Sequence, residues 1–357
     1  MHGPEGVGDL LTAPNPGEPE SQPTRRRRRS KGFVAAIVIG ALVLVGGSGA
    51  MAYYGYRIAL DEKIERIDDP FADIDDASRP EPAPMEGTTA PVNILALGSD
   101  SRISAGNPSD WKVGAQRTDA ILLLHLSADR KSAAAISIPR DSWVDIPGVG
   151  EGKINAAFSY GGPALMIQTV EQLTGVRIDH FAVSDFESFT TLTDTLGGVE
   201  IKVPDGAGGS VEQEMSGKEA LEFTRERYAL AKGDFGRVQR QQAWMRAIAT
   251  KATQDKSDLL KMSRFLEAAV RAVSVDEDLT IDRMLELAVS AKDLSTGDIT
   301  FMTAPYAGTG RSADGQSIVL LDREALDPLM EAVAKDDLPD YLAGSPGGID
   351  MLPDVVE

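Results

Sequence analysis

An uncharged stretch near the N-terminus constrains this chain more than any other feature of its sequence. Residues 33–52 hold 20 consecutive residues without a charge. An α-helix rises by about 1.5 Å per residue, so this stretch spans roughly 30 Å, the thickness of the hydrocarbon core of a bilayer. Arg25–Arg29 and Lys31 precede it, and such basic clusters are retained in the cytoplasm. The pattern predicts one membrane crossing, with a cytoplasmic N-terminus and an extracytoplasmic C-terminal domain at the cell membrane.

Two other interpretations of the apolar stretch stay open. One is a buried core helix, and the other is a secretory signal cleaved after Ala52, because Ala50-Met51-Ala52 matches an A-x-A site. An uncleaved anchor is favoured, since the stretch is longer than a typical signal core and a long region precedes it. Three tyrosines follow within 53–56, where aromatic rings favour the membrane interface. Anchor and signal both place the C-terminal domain outside the cytoplasm.

Composition along the chain predicts five segments. These are a disordered basic cytoplasmic tail at 1–32, a transmembrane helix at 33–53, an extracytoplasmic stalk at 54–89, a folded domain at 90–340 and a flexible tail at 341–357. The net charge is −19, and residues 1–32 contribute +2 from six basic and four acidic side chains, which leaves −21 for the rest. A domain this acidic repels nucleic acid, so no nucleic-acid partner is expected.

Several classes of enzyme are excluded by residues that the chain lacks. It has no cysteine and only three histidines, His2, His125 and His180. Disulfide frameworks, thiolate zinc sites, cysteine nucleophiles and an H-E-x-x-H zinc site are therefore ruled out. The sequence also holds no G-x-S-x-G elbow, no Walker A loop and no G-x-G-x-x-G turn that opens a helix after a strand. The usual hydrolase and nucleotide-binding interpretations are thus excluded.

The periodicity of the remaining sequence predicts an α/β fold. Short apolar runs typical of buried strands occupy 91–97, 120–126, 133–138, 143–146, 199–203, 299–303 and 318–321. Apolar residues at helical spacing occupy 160–173, 186–196, 217–223, 233–253, 259–273 and 281–292. Strands alternating with covering helices favour an α/β/α sandwich with a central mixed sheet, preceded by the transmembrane helix.

Arginines and aspartates stand at the predicted strand ends and helix starts. Asp100 follows the first strand, Arg117 and Asp119 lie at the start of the second, and Arg140 follows the third. Guanidinium groups suit bidentate capture of phosphate, and carboxylates are ligands that Mg²⁺ accepts. All of these residues are expected to meet at one edge of the sheet.

A second group of polar residues lies later in the chain. Arg237, Arg240 and Gln241 are three or four residues apart on one predicted helix face, which Asp234 is expected to cap. Arg225 and Arg227 are expected to share a face of an extended segment. From spacing alone, structural ion pairs remain an alternative to an anionic, phosphate-bearing ligand.

Six blocks of sequence resemble the LytR-CpsA-Psr (LCP) family of cell-wall glycopolymer transferases. In chain order they are VNILALGSDSR, QRTDAILLLHLS, AISIPRDSWVDIPG, GKINAAFSYGG, DTLGGVEIKVP and FTRERYALAKGDFGRVQRQQ. They are the strongest parts of a resemblance that spans about residues 90–325. The resemblance implies a phosphotransferase that moves a glycopolymer from a polyprenyl-pyrophosphate carrier to peptidoglycan through a phosphodiester bond. It also implies that the carrier lipid lies in an apolar groove of the domain.

The same resemblance implies a role for each residue in the matching blocks. The pyrophosphate is expected to be surrounded by Arg117, Arg140, Arg225, Arg227, Arg237 and Gln241, with Asp234 and Arg240 as further substrate-binding candidates. Asp100 and Asp119 are expected to hold Mg²⁺ and, with Arg140, to be catalytic. The general base is left unassigned, and a long loop at 103–115 is a departure that affects the geometry between the two aspartates.

The sequence is also compatible with three other functions. The first is a non-catalytic module that binds the lipid carrier or the cell wall, and the second is a polyprenyl-pyrophosphate pyrophosphatase. The third is a membrane-bound transcription regulator, which the acidic domain and the lack of a helix-turn-helix pattern disfavour.

Overall fold

A computed structural model describes residues 55–85, 87, 89–99, 118–226, 233–254, 259–344 and 349–357. Nearly all of them fall in one unit, Tyr56–Glu357. The predicted tail at 1–32 and transmembrane helix at 33–53 lie outside the described residues. Among the helices of the described part, none is both long and apolar enough to cross a membrane.

The described strands and helices alternate along the chain. The strands are β1 (Glu65–Ile67), β2 (Val92–Ser99), β3 (Thr118–Leu126), β4 (Ala133–Ser137), β5 (Trp143–Ile146), β6 (Gly150–Lys153), β7 (His180–Asp185), β8 (Val199–Pro204), β9 (Ser210–Met215), β10 (Val273–Asp276), β11 (Ile299–Thr303), β12 (Tyr306–Arg311), β13 (Ser317–Leu321) and β14 (Asp350–Met351). The helices are α1 (Ile154–Thr174), α2 (Phe186–Thr195), α3 (Gly217–Arg225), α4 (Asp234–Gln254), α5 (Leu259–Arg271), α6 (Ile281–Ser290), α7 (Arg323–Ala334) and α8 (Leu338–Gly344).

The central sheet has the strand order β1-β10-β7-β2-β3-β4-β11-β14. The pairs β1–β10, β7–β2 and β4–β11 are parallel, and the other neighbouring pairs are antiparallel. Three hairpins, β5–β6, β8–β9 and β12–β13, lie outside this sheet. The mixed α/β architecture predicted from the sequence is confirmed.

Side chains alternate between the two faces of the sheet and meet different helices on each. On one face, Leu95, Leu97 and Ile121 enter a core with α1, α7 and α8. On the other face, β2 and β3 turn Ile94 and Leu122 toward α2 and α4. The core between these helices and the β8–β9 hairpin is a separate cluster. The sheet is therefore covered on both sides, as a sandwich requires.

The predicted stalk at 54–89 is wrong as a description of residues 56–85. Leu60, Ile64 and Ile67 are buried, and β1 pairs with β10 at the edge of the sheet. Arg79 forms an ion pair of 2.8 Å with the buried carboxylate of Glu171. Prolines and acids made this segment look like a linker, but its apolar residues pack onto the domain. The folded domain therefore begins well before residue 90.

The predicted flexible tail at 341–357 is also corrected where it is described. Residues 338–344 form α8, and β14 pairs with the end of β11. The amide of Leu352 donates to the carbonyl of Phe301 at 2.9 Å, and Val356 is buried. This segment adds an edge strand to the sheet, which its sequence of small and acidic residues did not indicate.

One helix was predicted only in part. Helix α1 begins at Ile154, and its regular backbone is interrupted at Gly161 and Gly162, where Gly162 has φ 61°. Pro163 follows, at the first position of the second segment, where its missing N–H costs no hydrogen bond. The helix predicted at 160–173 corresponds to this second segment, because the interruption hides the first from a periodicity argument.

Candidate functional site

The site lies at the sheet edge where β3 begins and β4 ends. These strands are antiparallel, so Asp119 near the start of β3 and Arg140 just after β4 stand on the same edge. The loop carrying Arg140 is fixed by backbone hydrogen bonds: the Asn155 amide donates to the Arg140 carbonyl at 3.2 Å, and the Ile154 amide to the Ser142 carbonyl at 2.8 Å. The first turns of α4 complete the site.

Asp119 is the centre of the cluster. Its carboxylate, only 8% exposed, pairs with Nη1 of Arg140 and lies 3.8 Å from Nη1 of Arg237, whose side chain is 4% exposed. A buried charge is tolerated only when it is paired, and the two guanidinium groups provide that pairing. The cluster is therefore held in place before any ligand arrives.

Asp234 forms the outer rim of the cluster. Its carboxylate is 35% exposed, lies 3.0 Å from Nη2 of Arg237 and 3.9 Å from Nη2 of Arg140. The residue is the first of α4 rather than the cap that the sequence predicted. On the other side of Arg140, the carboxylate of Asp141 forms an ion pair of 3.0 Å with Nζ of Lys153.

The described part of the cluster is electrically balanced. Three cations face three anions: Arg140, Arg237 and Lys153 against Asp119, Asp141 and Asp234. The buried Nε of Arg140 has no hydrogen-bond acceptor among the described residues, although Asp141 lies 3.9 Å away.

A buried amide joins α4 to two strand ends beneath the cluster. Nε2 of Gln242 donates to the carbonyl of Met302 at 2.7 Å and to the hydroxyl of Ser137 at 2.8 Å. Gln242 is fully buried, and Ser137 and Met302 lie at the ends of β4 and β11. The contacts fix the height of α4 above the strand that leads to Arg140.

An apolar cavity of about 300 Å³ lies between the sheet and helices α2, α4 and α6. Its floor is formed by small residues at neighbouring positions of three strands. Ala96 of β2 is paired with Ala182 of β7, and Gly98 is paired with Ala120 of β3. Its walls are larger apolar side chains: Ile94, Leu122, Leu124, Phe186, Phe189, Trp244, Met245, Val275 and Leu279. The space exists because the floor residues are too short to fill it.

One stripe of α4 connects the charged cluster to this cavity. Arg237, Gln241 and Met245 follow one another at intervals of four residues and therefore lie on one face. Gln241 and Met245 line both the apolar cavity and the small cleft that contains Asp119 and Arg140. Polarity thus falls from a guanidinium to an amide to a thioether along about two turns of helix.

The structure brings five of the predicted site residues into this cluster and its wall, and it places two elsewhere. Asp119, Arg140, Arg237 and Asp234 are in contact, with Gln241 beside them.

Arg240 points away from the cluster, because its guanidinium donates to the Phe223 carbonyl at 2.7 Å and stacks 4.1 Å from the centre of that ring. Burial lowers the pKa of Arg240, and the charges of Glu226 and Glu357 oppose that change.

Arg225 was expected in an extended segment and lies instead in the last turn of α3, where it is exposed. Helix α3 runs two residues further than the sequence predicted, and extended backbone begins at Glu226. Asp100, Arg117 and Arg227 lie outside the described residues, so the structure does not place them.

The described residues do not form a metal site by themselves. No group of three or more acidic or histidine side chains within the described ranges is arranged to hold a metal ion. Asp119 is the one predicted ligand among them, and its carboxylate already faces Arg140 and Arg237. At this edge of the sheet, Ser99 at the end of β2 pairs with Thr118, the residue before Asp119.

Sequence reasoning missed the amide of Gln242 and the small residues of the cavity floor. Gln242 adjoins Gln241, and two successive residues of a helix do not share a face. The sequence therefore indicated that Gln242 contacts a different partner from Gln241. The small residues Ala96 and Gly98 alternate along β2 with the buried Leu95 and Leu97. Such a one-sided run of small residues indicates space on one face of a strand.

Comparisons with known proteins agree with this architecture. A model described as the LytR_cpsA_psr family matches residues 62–335. LcpB of Corynebacterium glutamicum, named a probable cell wall biosynthesis protein, is 32% identical over 298 residues, which are 79% of this chain and 68% of LcpB. TagU of Bacillus cereus, named polyisoprenyl-teichoic acid–peptidoglycan teichoic acid transferase, is 30% identical over 265 residues, 72% of this chain and 81% of TagU. The crystal structure of B. subtilis TagV has a TM-score of 0.57 at 24% identity, covering 69% of this chain and 97% of TagV, and shares the fold.

Proposed function

This chain belongs to the LytR_cpsA_psr family, and from that premise we propose that it transfers a glycopolymer from a polyprenyl-pyrophosphate carrier to peptidoglycan through a phosphodiester bond. The family and the TagU relative support an enzyme of cell-wall glycopolymer transfer. The lipid carrier is the further step of the proposal. The observation that supports it is the apolar cavity joined to the arginine cluster through Gln241 and Met245.

A donor of this class has an apolar tail, a doubly charged head and a polymer, in that order. The tail fits the cavity and the head fits beside Arg140 and Arg237. An acceptor hydroxyl then attacks the phosphorus that carries the polymer, the bond to the lipid phosphate breaks, and the hydroxyl proton passes to a carboxylate or to water. Guanidinium groups stabilise the charge that develops on the transferred and leaving oxygens.

Because the described cluster has no net charge, the rest of the site must supply the positive charge that binds a pyrophosphate. Because three acids already compensate the three described cations, pyrophosphate capture needs additional positive charge. We assign it to Arg117, Arg225 and Arg227, and to Mg²⁺ held by Asp100 and Asp119. The ion would supply charge neutralisation at the pyrophosphate.

Transfer of a labelled lipid-pyrophosphate glycan to peptidoglycan tests the assignment. Arg140→Ala and Arg237→Ala are expected to weaken donor binding by about tenfold to a hundredfold, the loss of one charged hydrogen bond. Arg323→Ala removes an exposed guanidinium paired with Asp327 and is the matched control. Release of lipid phosphate without linkage to peptidoglycan would indicate a pyrophosphatase, and donor binding without turnover would indicate a binding module.

The metal is tested separately by chelation. We expect transfer to stop in excess EDTA and to recover with Mg²⁺. Asp119→Asn is expected to reduce turnover more than donor affinity, because the amide keeps the shape and loses the anion. Full activity in EDTA would refute the metal proposal and leave Asp119 as a structural partner of Arg140 and Arg237.

The location of the enzyme is a further part of the proposal. Residues 33–53 anchor the chain in the cell membrane, and the domain lies outside with its lipid and peptidoglycan partners. External protease added to cells stripped of their wall is expected to remove the domain. A protected domain would contradict this topology.

A further inference from the structure

An aromatic pair stands at the edge of the arginine cluster. The rings of Phe235 and Tyr306 are stacked, with centroids 3.9 Å apart and an interplanar angle of 7°. Phe235 directly follows Asp234, the rim carboxylate of the cluster, and both aromatic residues are partly exposed. A rigid aromatic surface therefore adjoins the proposed pyrophosphate site.

The pair lies on the side of the cluster opposite the apolar cavity. The cavity is built over β7, β2 and β3, whereas Tyr306 follows β11, two strands beyond β3 in the sheet. The cluster, which spans the ends of β3 and β4, lies between them. A donor with its lipid in the cavity and its pyrophosphate at the cluster extends its next covalent unit toward the aromatic pair.

Polar groups and open space surround this surface. The carboxylate of Asp350 accepts a hydrogen bond of 3.3 Å from Gln239. Burial raises the pKa of the Tyr306 hydroxyl, and the nearby charge of Asp350 raises it further. Two residues after Tyr306, a Cβ at Gly308 would meet no atom within 4 Å. Ring faces beside carboxylates suit a pyranose, which presents apolar C–H groups on one face and hydroxyls at its edge.

We propose that the Phe235–Tyr306 pair binds the pyranose ring that the donor carries on its pyrophosphate. The inference rests on the proposed function, since it requires a pyrophosphate at the arginine cluster. It assigns to the two rings the recognition of the first sugar of the polymer, while the arginines recognise the pyrophosphate and the cavity recognises the lipid.

Binding to two lipids tests the proposal without any transfer reaction. One is geranylgeranyl pyrophosphate, and the other is the same lipid pyrophosphate extended by one N-acetylhexosamine. Phe235→Leu and Tyr306→Leu are expected to weaken binding of the sugar-bearing lipid by about 3- to 10-fold, the worth of one ring contact. Affinity for the bare lipid is expected to stay unchanged, which also shows that each variant is folded.

Two controls separate the ring from other effects. Tyr306→Phe keeps the stacked ring. Its loss of affinity for the sugar-bearing lipid is expected to be less than half of that of Tyr306→Leu. Phe71→Leu removes a ring that packs against Arg79 far along the chain from the site and is expected to change neither affinity.

Each other outcome has a distinct meaning. Equal affinities of the wild-type protein for both lipids, or equal weakening of both by the Leu variants, would overturn the sugar proposal and leave the proposed function intact. Slower transfer with both lipid affinities unchanged would assign the rings to the acceptor and would also overturn it. Failure of the wild-type protein to bind either lipid would refute the proposed function itself.

Discussion

Replacing Ala96 by Phe tests whether the apolar cavity holds the lipid of the donor. Ala96 lies on the cavity floor, paired with Ala182 and Leu122 on the neighbouring strands. The cavity measures about 300 Å³. A cavity of about 150 Å³ holds one benzene, so this one holds roughly a dozen carbons, or about two isoprene units. The added phenyl ring displaces about one isoprene unit, or five carbons.

The size of the effect follows from the carbons displaced. Burial of one methylene contributes about 0.8 kcal/mol, so five carbons contribute at most about 4 kcal/mol. Ordering a mobile tail opposes this gain and leaves about 2–3 kcal/mol. The expected loss of affinity for a long polyprenyl pyrophosphate is therefore about 30-fold to 150-fold.

Calorimetric titration with donors of different tail length measures the loss. Inorganic pyrophosphate is expected to bind Ala96→Phe and wild type equally, because the substitution leaves the arginines in place. Ala207→Phe adds the same ring in an exposed loop and is the matched control. Undiminished affinity of Ala96→Phe for the long-chain lipid would show that the tail lies elsewhere.

Two further predictions concern the stability of the fold. Gln242→Leu is expected to lower the free energy of unfolding by about 1–3 kcal/mol in urea titrations, because the buried carbonyl of Met302 loses its donor; Gln254→Leu, at the exposed end of α4, should change it little. Asp276 is paired with His180 at 3.2 Å; burial favours a raised pKa, but hydrogen bonds from His180 and two backbone amides leave the pKa of Asp276 below its ordinary value of 3.8. Its stabilisation is complete above that value and is lost as the pH falls through the lowered pKa, so Asp276→Asn should destabilise the protein at neutral pH and progressively less in acid. If the difference in free energy of unfolding between wild type and Asp276→Asn stayed the same in acid, this prediction would be wrong.

The sequence predicted the strands that have strong apolar runs and the helices that have regular spacing. Strand β11 was predicted with its observed bounds, and α4 to within one residue at each end. Strand β7, at the centre of the sheet, was missed because its sequence, HFAVSD, mixes polar and apolar residues. Its polar members are paired inside the fold: His180 with Asp276, and the Ser184 hydroxyl with the Ala272 carbonyl at 2.6 Å. Such pairing depends on β10, which is about 90 residues later in the chain, and is invisible to a local pattern.

In the candidate site, too, local spacing predicted which residues lie on one helix, but it did not predict contacts with residues far away in the chain. Periodicity placed Arg237 and Gln241 on one face of a helix, and the structure agrees. It also grouped Arg240 with them, although that side chain turns toward Phe223. Residues three and four apart share a helix face only broadly, so the packing of the neighbouring α3 decides which of the two directions each side chain takes. The stacking of Phe235 on Tyr306 was equally inaccessible, because 70 residues separate the two.

Helix α4 carries contacts for both the head and the tail of the proposed donor, and this has a consequence for how the site works. The residues facing the donor, Arg237 to Met245, lie on one rigid element, so the distance between the charged cluster and the cavity is set by helix geometry rather than by loop motion. Gln242 holds that helix to the ends of β4 and β11 from the adjacent side. Loss of this hydrogen bonding therefore shifts the guanidinium of Arg237 and the cavity wall together. For this reason Gln242→Leu should weaken binding of inorganic pyrophosphate as well as of the long-chain lipid, whereas Ala96→Phe should weaken only the lipid. A Gln242 variant that loses lipid affinity while keeping full affinity for pyrophosphate would show that the two halves of the helix move independently.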